Sequence, residues 1–528
     1  MRPTHRSRAL ALLLTAAAVG LAGCGSDDGG DGASGGTDAG GTAGTATNAS
    51  ATSVTAVEAE TEALPATMAE WDQLWETERA AVVERIKTNG WGVSADQSTL
   101  TGPEGFTIDL SSCPAGWSNT EGLTDTEITI GYPAALSGAN AEAGNIANGH
   151  VALFEHENAQ GGFTDSTGKT RKVRMVLKDD GYDPARTIPL VDELIDAEKV
   201  FAVETMGSPA SLRTYDKLNE RCVPHLLPAS GHPAMGDPVN HPWTTTSSIS
   251  YATEAVMWGT FIEEHLEELR GAGSQDTVKV AALRMNNDFG ASYHAALEAY
   301  LATSPNRDAI EYVSETFEPT AAVLTDEMTT LAAEEPDVFI AMTTGSSCSQ
   351  IIAGAAENGM KEAVPYKFLS SACKATTPVT KLGDQPDGWW AIGGGLKDAT
   401  IAAYDGDAFI AEARTWISDA GYQIGPSFNL GLYYSWILAQ ALRIAGELDG
   451  GLNRANLILA MRTIDMTHPM LLGGLKVQMN GNADAFMLEG SDISTWSSAE
   501  QTWEQDSLLQ LAAQTPNCAW DATAAACG

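Results

Sequence analysis

From Glu127 onward the chain alternates short apolar runs with helical stretches, and this alternation constrains its fold more than any other feature. EITIGYPAALSG (127–138) reads as a strand running into a glycine-containing loop. GNIANGHVALFEHEN (144–158) reads as an amphipathic helix with Ile146, Gly149, Leu153 and Phe154 on one face, stopped by Gly161-Gly162. KVRMVLKDDG (172–181) is the next strand, and Asp183-Pro184 opens a helix ending near Lys199. Further strands fall at 200–208, 222–230, 278–288, 337–345 and 366–373. Strand–helix alternation implies parallel sheets covered on both faces. So many units require more than one sheet, hence an α/β protein of two lobes. In such sheets ligands bind at the carboxyl ends of strands. Those ends carry Ser137-Gly138, Gly207-Ser208, Ala229-Ser230-Gly231, Thr343-Thr344-Gly345 and Ser370-Ser371. Small polar residues there present backbone N–H groups and hydroxyls at close range, although turn chemistry alone explains any single one of them.

The N-terminus reads as an address. Arg2, Arg6 and Arg8 precede an apolar run, Ala9 to Leu21, of signal-peptide length and too short to span a bilayer. It ends in Leu21-Ala22-Gly23-Cys24, which resembles a bacterial lipobox; the resemblance implies removal of residues 1–23 and lipidation of Cys24. No other apolar run approaches 18 residues. Residues 24–65 read as a flexible tether, almost wholly Gly, Ser, Thr, Ala and Asp as far as Ser53. Within it Gly30-x-Gly32-x-x-Gly35 mimics a dinucleotide fingerprint, and Gly32-x-Ser34-x-Gly36 a nucleophile elbow. Neither follows a strand or opens a helix, so neither carries its usual meaning. Lys plus Arg number 30 against 69 Asp plus Glu, a formal charge of −39. That balance argues against nucleic acid and against an anionic lipid surface.

Six cysteines remain after Cys24, an even number in an oxidising compartment. Six allow 15 connectivities, and the absence of C-x-x-C argues against a zinc ribbon or a thioredoxin site. Cys518 and Cys527 close a short C-terminal loop. Cys348 and Cys373 each follow a strand of one sheet, with one helix between. Cys113 and Cys222 then remain, a staple from the N-terminal extension to the first lobe. That extension, 66–120, begins with a helix in which Trp71, Leu74, Trp75, Glu78, Val82 and Ile86 fall mostly at i, i+3 and i+4.

The ordered set ITIGYPAALSG, ALFEHENAQGGF (152–163), VLKDDGYDPARTIPLVDELIDAEKVFAVETMGSPAS (176–211), VPHLLPASGHP (223–233) and RMNNDFGASY (284–293) resembles the type I periplasmic solute-binding proteins of ABC transporters, of the branched-chain amino acid and amide group. The match runs over roughly 125–481. It implies two Rossmann-like lobes with parallel sheets joined by three crossovers, expected near Ser247, Ser371 and His468. Lobe 1 would be 121–247 with 372–467, lobe 2 248–371 with 468–510, and 511–528 a tail with its own disulfide. It also implies that Ser208 and the loop Ala229, Ser230, Gly231 hold a ligand carboxylate, and that Phe289 of Asn287-Asp288-Phe289-Gly290 contacts the ligand. Ser137, Ser211, Asn287 and Thr344 complete the expected ligand-binding set.

This chain departs from the pattern. The family often has Thr at the place of Gly231, a Tyr at Phe289, a carboxylate at Ala321 (which Glu318 could supply in a shifted register) and a bulky aromatic at Ala143. Together these departures lead us to expect a roomier pocket without the usual zwitterion clamp, because an unpaired buried charge is costly. Trp389-Trp390 could wall an apolar ligand, with core packing the plainer reading; Tyr433-Tyr434 read as core. No H-E-x-x-H, P-loop or S-x-x-K with its context appears, and His150 and His156 lack the i, i+4 spacing of a metal pair. Asn480, Asn482 and Asp484 only faintly echo a calcium loop. The expectation is therefore a monomeric, lipid-anchored extracytoplasmic receptor, without cofactor or metal. It would pass a small amino acid-like, amide or organic acid solute to an ABC permease and its ATPase. A ligand-sensing module of the same fold and a secreted enzyme are the alternatives.

Overall fold

The computed structural model describes residues 57–59, 62–138, 140–273, 277–511, 514–521, 523 and 526–527. The signal segment 1–23, Cys24 and the tether as far as residue 56 lie outside the described residues.

The first lobe is built on a six-stranded sheet. Its strands are Glu127–Ala134 (β2), Phe163–Thr164 (β3), Thr170–Asp179 (β4), Ala202–Val203 (β5), His225–Leu226 (β6) and Thr244–Thr245 (β7), in the order β7-β6-β5-β2-β4-β3. All pairings are parallel except β3 with β4. β2 is buried along its whole length after Glu127, as a central strand covered on both faces must be. On one face the helix Asn145–Ala159 (α2) crosses the helix Phe428–Glu447 (α6) backbone to backbone. A Cβ on Gly149 would lie 2.8 Å from Gly431 Cα, so the approach requires glycine at both positions. The other face packs Val191, Leu194, Val203, Leu218 and Val223 into a separate core.

The second lobe holds an eight-stranded sheet. Its strands are Val57–Glu58 (β1), Val278–Met285 (β8), Ile310–Phe317 (β9), Val338–Met342 (β10), Tyr366–Leu369 (β11), Trp389–Ile392 (β12), Gly490–Ser497 (β13) and Thr502–Gln510 (β14), ordered β1-β14-β13-β12-β11-β10-β8-β9. β9, β8, β10, β11 and β12 run parallel; β13, β14 and β1 add antiparallel pairings. Two sequence boundaries are corrected here. Trp389–Ile392, expected in the first lobe, is a strand of the second, paired on one side with Tyr366–Leu369. Its Trp-Trp-Ala-Ile composition favours a strand. Val57–Glu58, expected in the tether, pairs with Leu509 and Gln510 at the sheet edge.

The chain consequently leaves the second sheet after Ile392, not near Ser371. Three crossing segments lie side by side. Thr246 bridges Phe486 and Leu396 bridges Leu471. Lys397 N–H donates to Met470 O and Leu472 N–H to Gly395 O, both at 2.9 Å. Ser247 and His468 lie within these segments. His468 is fully buried; its Nδ1 accepts from Met470 N–H at 3.0 Å, so Nε2 carries the proton and donates to Tyr433 O at 3.0 Å. Burial pushes its pKa down to about 3, consistent with a neutral ring.

The extension packs on this body. Its helix Met68–Asn89 (α1) starts in a Thr67/Glu70 capping box and stops at Gly90, φ +65°. Trp75 packs edge-on against Phe409 and Trp436, and its Nε1–H donates to Thr467 O at 3.2 Å. The Glu78 carboxylate accepts from Thr467 N–H at 3.0 Å and from its hydroxyl at 2.7 Å, so α1 fastens the third crossing segment. Disulfides join Cys113 to Cys222, Cys348 to Cys373 and Cys518 to Cys527. The first spans 109 residues. A loop of about that length is worth roughly 4–5 kcal/mol in the chain-entropy picture. Replacing Cys113 and Cys222 together by Ser is expected to lower the unfolding free energy by about 2–5 kcal/mol, read as an earlier urea midpoint. An unchanged midpoint would mean that the extension is held by Trp75 and its neighbours alone.

Candidate functional site

A cavity of about 90 Å³ lies between the lobes where the strand ends meet the crossing segments. Its polar side is built by hydroxyls. Ser208 and Ser230 approach at 2.8 Å, and Tyr251 OH lies 3.2 Å from Ser208 Oγ. Ser230 Oγ also accepts His232 N–H at 3.1 Å. Gly231 cannot be Thr here: a Cβ would stand 2.2 Å from Ile249 O and 2.6 Å from the Tyr251 ring. Tyr251 N–H donates to Gly231 O at 2.8 Å, and its phenol brings a hydroxyl to this side of the cavity. Burial pushes that phenol's pKa up to about 12, so it is a neutral hydroxyl.

Two of the helices that begin at the cavity are entered through a glycine of positive φ. Ser208–Glu220 (α3) follows Gly207, φ +82°, and Ser346–Glu357 (α5) follows Gly345, φ +67°; both glycines line the cavity, and neither helix has a side-chain cap. Gly207 is required twice over, by its positive φ and because a Cβ there would lie 2.5 Å from the Tyr182 ring. First-turn N–H groups without a side-chain partner are an anion-binding feature. Among the described residues no Asp, Glu, Lys, Arg or His side chain lines the cavity. Ile146, Ile249, Leu396, Leu430, Leu488 and Phe289 supply its apolar surface.

The structure brings Ala229, Ser230, Gly231, Phe289 and Thr344 to the cavity wall. Ser208 sits just behind, fully buried in the hydroxyl chain. Ser137, Ser211 and Asn287 do other work. Ser137 is held by Asp179, whose carboxylate accepts its hydroxyl at 2.5 Å and its N–H at 3.1 Å. That hydroxyl is the main reason the Asp179 pKa is lowered. Ser211 bonds Thr205 at 2.8 Å and Gly207 O at 2.9 Å, beneath the wall. Asn287 caps a helix, its Oδ1 accepting from Phe289 and Gly290 N–H. Glu318 bonds Asn286 at 2.6 Å, away from the cavity, and Ala321 does not line it.

Three further expectations change. The pocket is not roomy, because the rings of Tyr182, Tyr251, Tyr433 and Tyr434 stand in its wall. Trp389 and Trp390 do not line it: Trp389 packs on Phe339 in the lobe core, and Trp390 on Phe261, Tyr366 and Phe368. Tyr433 and Tyr434, read as core, are buried and line it as well, their hydroxyls tied to Ser247 O at 2.9 Å and Ser248 Oγ at 2.8 Å. These two are neighbours in a helix that is apolar nearly all round, so sequence pattern could not separate wall from core. The signal for Tyr182 was its place in the strand-end turn Asp180-Gly181-Tyr182-Asp183, where it adopts φ +65°.

A carboxylate stands behind the wall beside Ser371. Glu254, on the helix Tyr251–Glu264 (α4), accepts from Ser371 N–H at 3.0 Å, Ser371 Oγ at 2.6 Å and Tyr293 OH at 2.5 Å. Ser371 lines the cavity. Burial dominates these hydrogen bonds and raises the Glu254 pKa to about 7.

The chain belongs to the periplasmic binding protein family, whose model matches residues 127–487. Its fold is that of the type I binding proteins of ABC transporters. Three similar solved structures carry informative descriptions. A fatty acid ABC transporter substrate-binding protein from Thermomonospora curvata has a TM-score of 0.61 at 17% identity, covering 76% of this chain and 98% of that one. A branched-chain amino acid ABC transporter protein from Thermus thermophilus with bound valine has 0.59 at 16%, covering 73% and 96%. A solute-binding protein of an ABC transporter from Rhodopseudomonas palustris BisB5, in complex with 3,4-dihydroxybenzoic acid, has 0.58 at 17%, covering 74% and 98%. No curated protein matches the chain.

Glu254 makes stability pH-dependent. Its folded pKa is raised to about 7 from 4.5, so the folded state holds a proton that the unfolded state releases between those values. Its contribution to stability is therefore full below about pH 4.5, falls as pH rises to about 7 and is level above, whereas the buried neutral rings of His225 and His468 contribute in the opposite sense below about pH 6.5. Glu254→Gln is expected to remove about 3 kcal/mol of that fall, measured as denaturant midpoints at pH 5 and 7.5. The part due to Asp484, also raised by burial to about 7, stays. An identical pH slope in wild type and variant would show that Glu254 ionises freely in the fold.

Proposed function

We propose that the protein is a lipid-anchored solute receptor that captures a small organic carboxylate with an apolar or aromatic body between its lobes and delivers it to an ABC permease. One observation carries the ligand class: two helix N-termini without side-chain caps open on a cavity with, among the described residues, no charged side chain in its wall. Helix N-termini favour an anion. An α-ammonium group would find no lining carboxylate there, and an unpaired buried charge is costly. The valine, fatty acid and dihydroxybenzoate named for the similar structures all bear a carboxylate; only valine also needs an ammonium partner. The hydroxyl chain Ser208, Ser230, Tyr251 supplies neutral hydrogen bonds to the carboxylate, and the isoleucines and leucines take the body. Ligand contacts made from both lobes at once favour the closed arrangement over an open one, a hinge motion about the three crossing segments. Anchoring rests on the Leu21-Ala22-Gly23-Cys24 motif; more than one acyl chain is needed for stable attachment. No helix among the described residues is long and apolar enough to cross a membrane.

A thermal-shift panel on refolded, ligand-stripped protein tests the ligand class. Benzoate, 3,4-dihydroxybenzoate or a medium-chain fatty acid is expected to stabilise it, by about 4 kcal/mol at a thousand times its Kd. Valine, urea and simple amides are expected to do little. Stabilisation by amino acids or amides alone would refute the reading. Tyr251→Phe is expected to weaken the best ligand about tenfold, roughly one hydrogen bond, by calorimetry. For the anchor, Cys24→Ala should move the protein from the membrane fraction to the soluble one; retention on the membrane would count against lipidation.

A further inference from the structure

Glu254 is fully buried on α4 and lies one hydrogen bond behind the cleft, with Ser371 between it and the cavity. Its hydrogen-bond partners are all donors: Ser371 N–H at 3.0 Å, Ser371 Oγ at 2.6 Å and Tyr293 OH at 2.5 Å. Both hydroxyls converge on the same oxygen, Oε1. This arrangement suits an ionised carboxylate, which only accepts. With its proton turned to Glu254, the Ser371 hydroxyl offers the cavity nothing but lone pairs. A ligand carboxylate would meet those lone pairs and, behind them, a second negative charge in a poorly screened interior.

Protonation of Glu254 reverses the count. A neutral carboxyl must place its own proton on one of the two hydroxyl oxygens, and that hydroxyl must turn its proton elsewhere. Tyr293 is fully buried, where a hydroxyl proton without an acceptor is costly. Ser371 is only partly buried and lines the cavity, so its proton is the one released towards a ligand. Burial has raised the Glu254 pKa to about 7, which brings this change within reach near neutral pH. The titratable side chains facing Glu254 are the phenols of Tyr251 and Tyr293, both kept neutral by burial. Charged groups on the elements packed beside it are engaged elsewhere: Asp288 with Arg213, His294 with Glu298 and Lys374 with Asp492. Glu267, Glu268 and Arg270, on the helix that follows α4, are exposed.

We propose that Glu254 is a positioning residue for the ligand: the cleft captures a carboxylate together with a proton from solvent, which settles on Glu254 and turns the Ser371 hydroxyl from acceptor to donor. The inference rests on the reading of the cleft as a carboxylate site. Two carboxyl groups on either side of one serine hydroxyl repel when both are ionised. Ligand therefore favours the protonated form of Glu254, and protonation favours the ligand by the same factor.

Calorimetry at about pH 6 and pH 8.5, in two buffers of different ionisation enthalpy, counts the protons taken up with benzoate, 3,4-dihydroxybenzoate or octanoate, whichever binds best. Comparison with Glu254→Gln, whose amide donates as the neutral carboxyl does, cancels any proton that the ligand itself exchanges. At the higher pH wild type is expected to take up close to one proton more per ligand than Glu254→Gln, and to bind at least about tenfold more weakly than that variant. At the lower pH the two should match. In wild type alone, affinity for benzoate or octanoate should fall at least about tenfold between the two pH values. Equal affinity and equal proton uptake in wild type and variant at both pH values would overturn the proposal and leave the cleft a carboxylate site. So would uptake that survives in Glu254→Gln, which would assign the proton to another group such as Asp484. Binding of none of the three carboxylates would refute the reading of the cleft itself, and this inference with it.

Discussion

The second crossing segment is fixed to the second lobe by one buried ion pair. Lys374 Nζ bonds Asp492, and both side chains are almost wholly buried. Asp492 Oδ1 also accepts Gly395 N–H at 3.0 Å, which ties the second crossing segment to β13. The packing is close enough that a Cβ on Gly393 would lie 2.2 Å from Asp492 Oδ1 and 2.3 Å from Lys374 Nζ. Removing one partner of such a pair typically costs about 3–5 kcal/mol, because the other charge is left buried alone. Here the loss would fall where the second crossing segment leaves its lobe. Lys397 plays a parallel part, its ammonium on Asp407 at 2.7 Å and on Pro469 O at 2.8 Å. The charges of this region therefore hold the second crossing segment, while among the described residues no charged side chain lines the cavity beside it.

That separation shapes the site. Charged groups close to the cavity are turned away from it or shielded: Asp179 by Ser137 and backbone N–H groups, Glu254 by Ser371 and Tyr293. What lines the cavity is backbone, hydroxyl, hydrocarbon and the Asn140 amide. Such a surface selects by shape and by hydrogen-bond direction. Between the lobes, Arg213 on α3 reaches Asp288 of the second lobe at 3.5 Å, an exposed pair of the kind that contributes little.

The extension and the tail add ties beyond the three crossings. β1 lies on the second sheet while α1 lies on the first lobe and grips Thr467. The tail returns from β14 to the first lobe, where Cys518 N–H donates to Gly236 O at 2.9 Å and Trp520 stands edge-on to His232 at 4.6 Å. His232 N–H in turn bonds Ser230 of the cavity wall. Both ends of the described chain thus bear on a crossing segment or on the cavity wall.

The alternation of apolar runs and helical stretches determined the α/β class and the two lobes, since each strand's burial and each helix's period are local properties. The loop Ala229, Ser230, Gly231 was legible for the same reason: it ends a strand, and ligands gather at strand ends. The strand at Trp389–Ile392 was missed because it stands apart from that alternation, after a turn-rich stretch. Only the tertiary structure decided which aromatic rings face the cavity. Tyr251, Tyr433 and Tyr434 come from segments up to 183 residues apart, between positions 251 and 434, and their helical spacing is the same whether a ring packs in a core or against a ligand. Likewise only the fold could show that Gly231 excludes Thr, because the atom in the way is the carbonyl of Ile249 on a crossing segment, which no local pattern brings near.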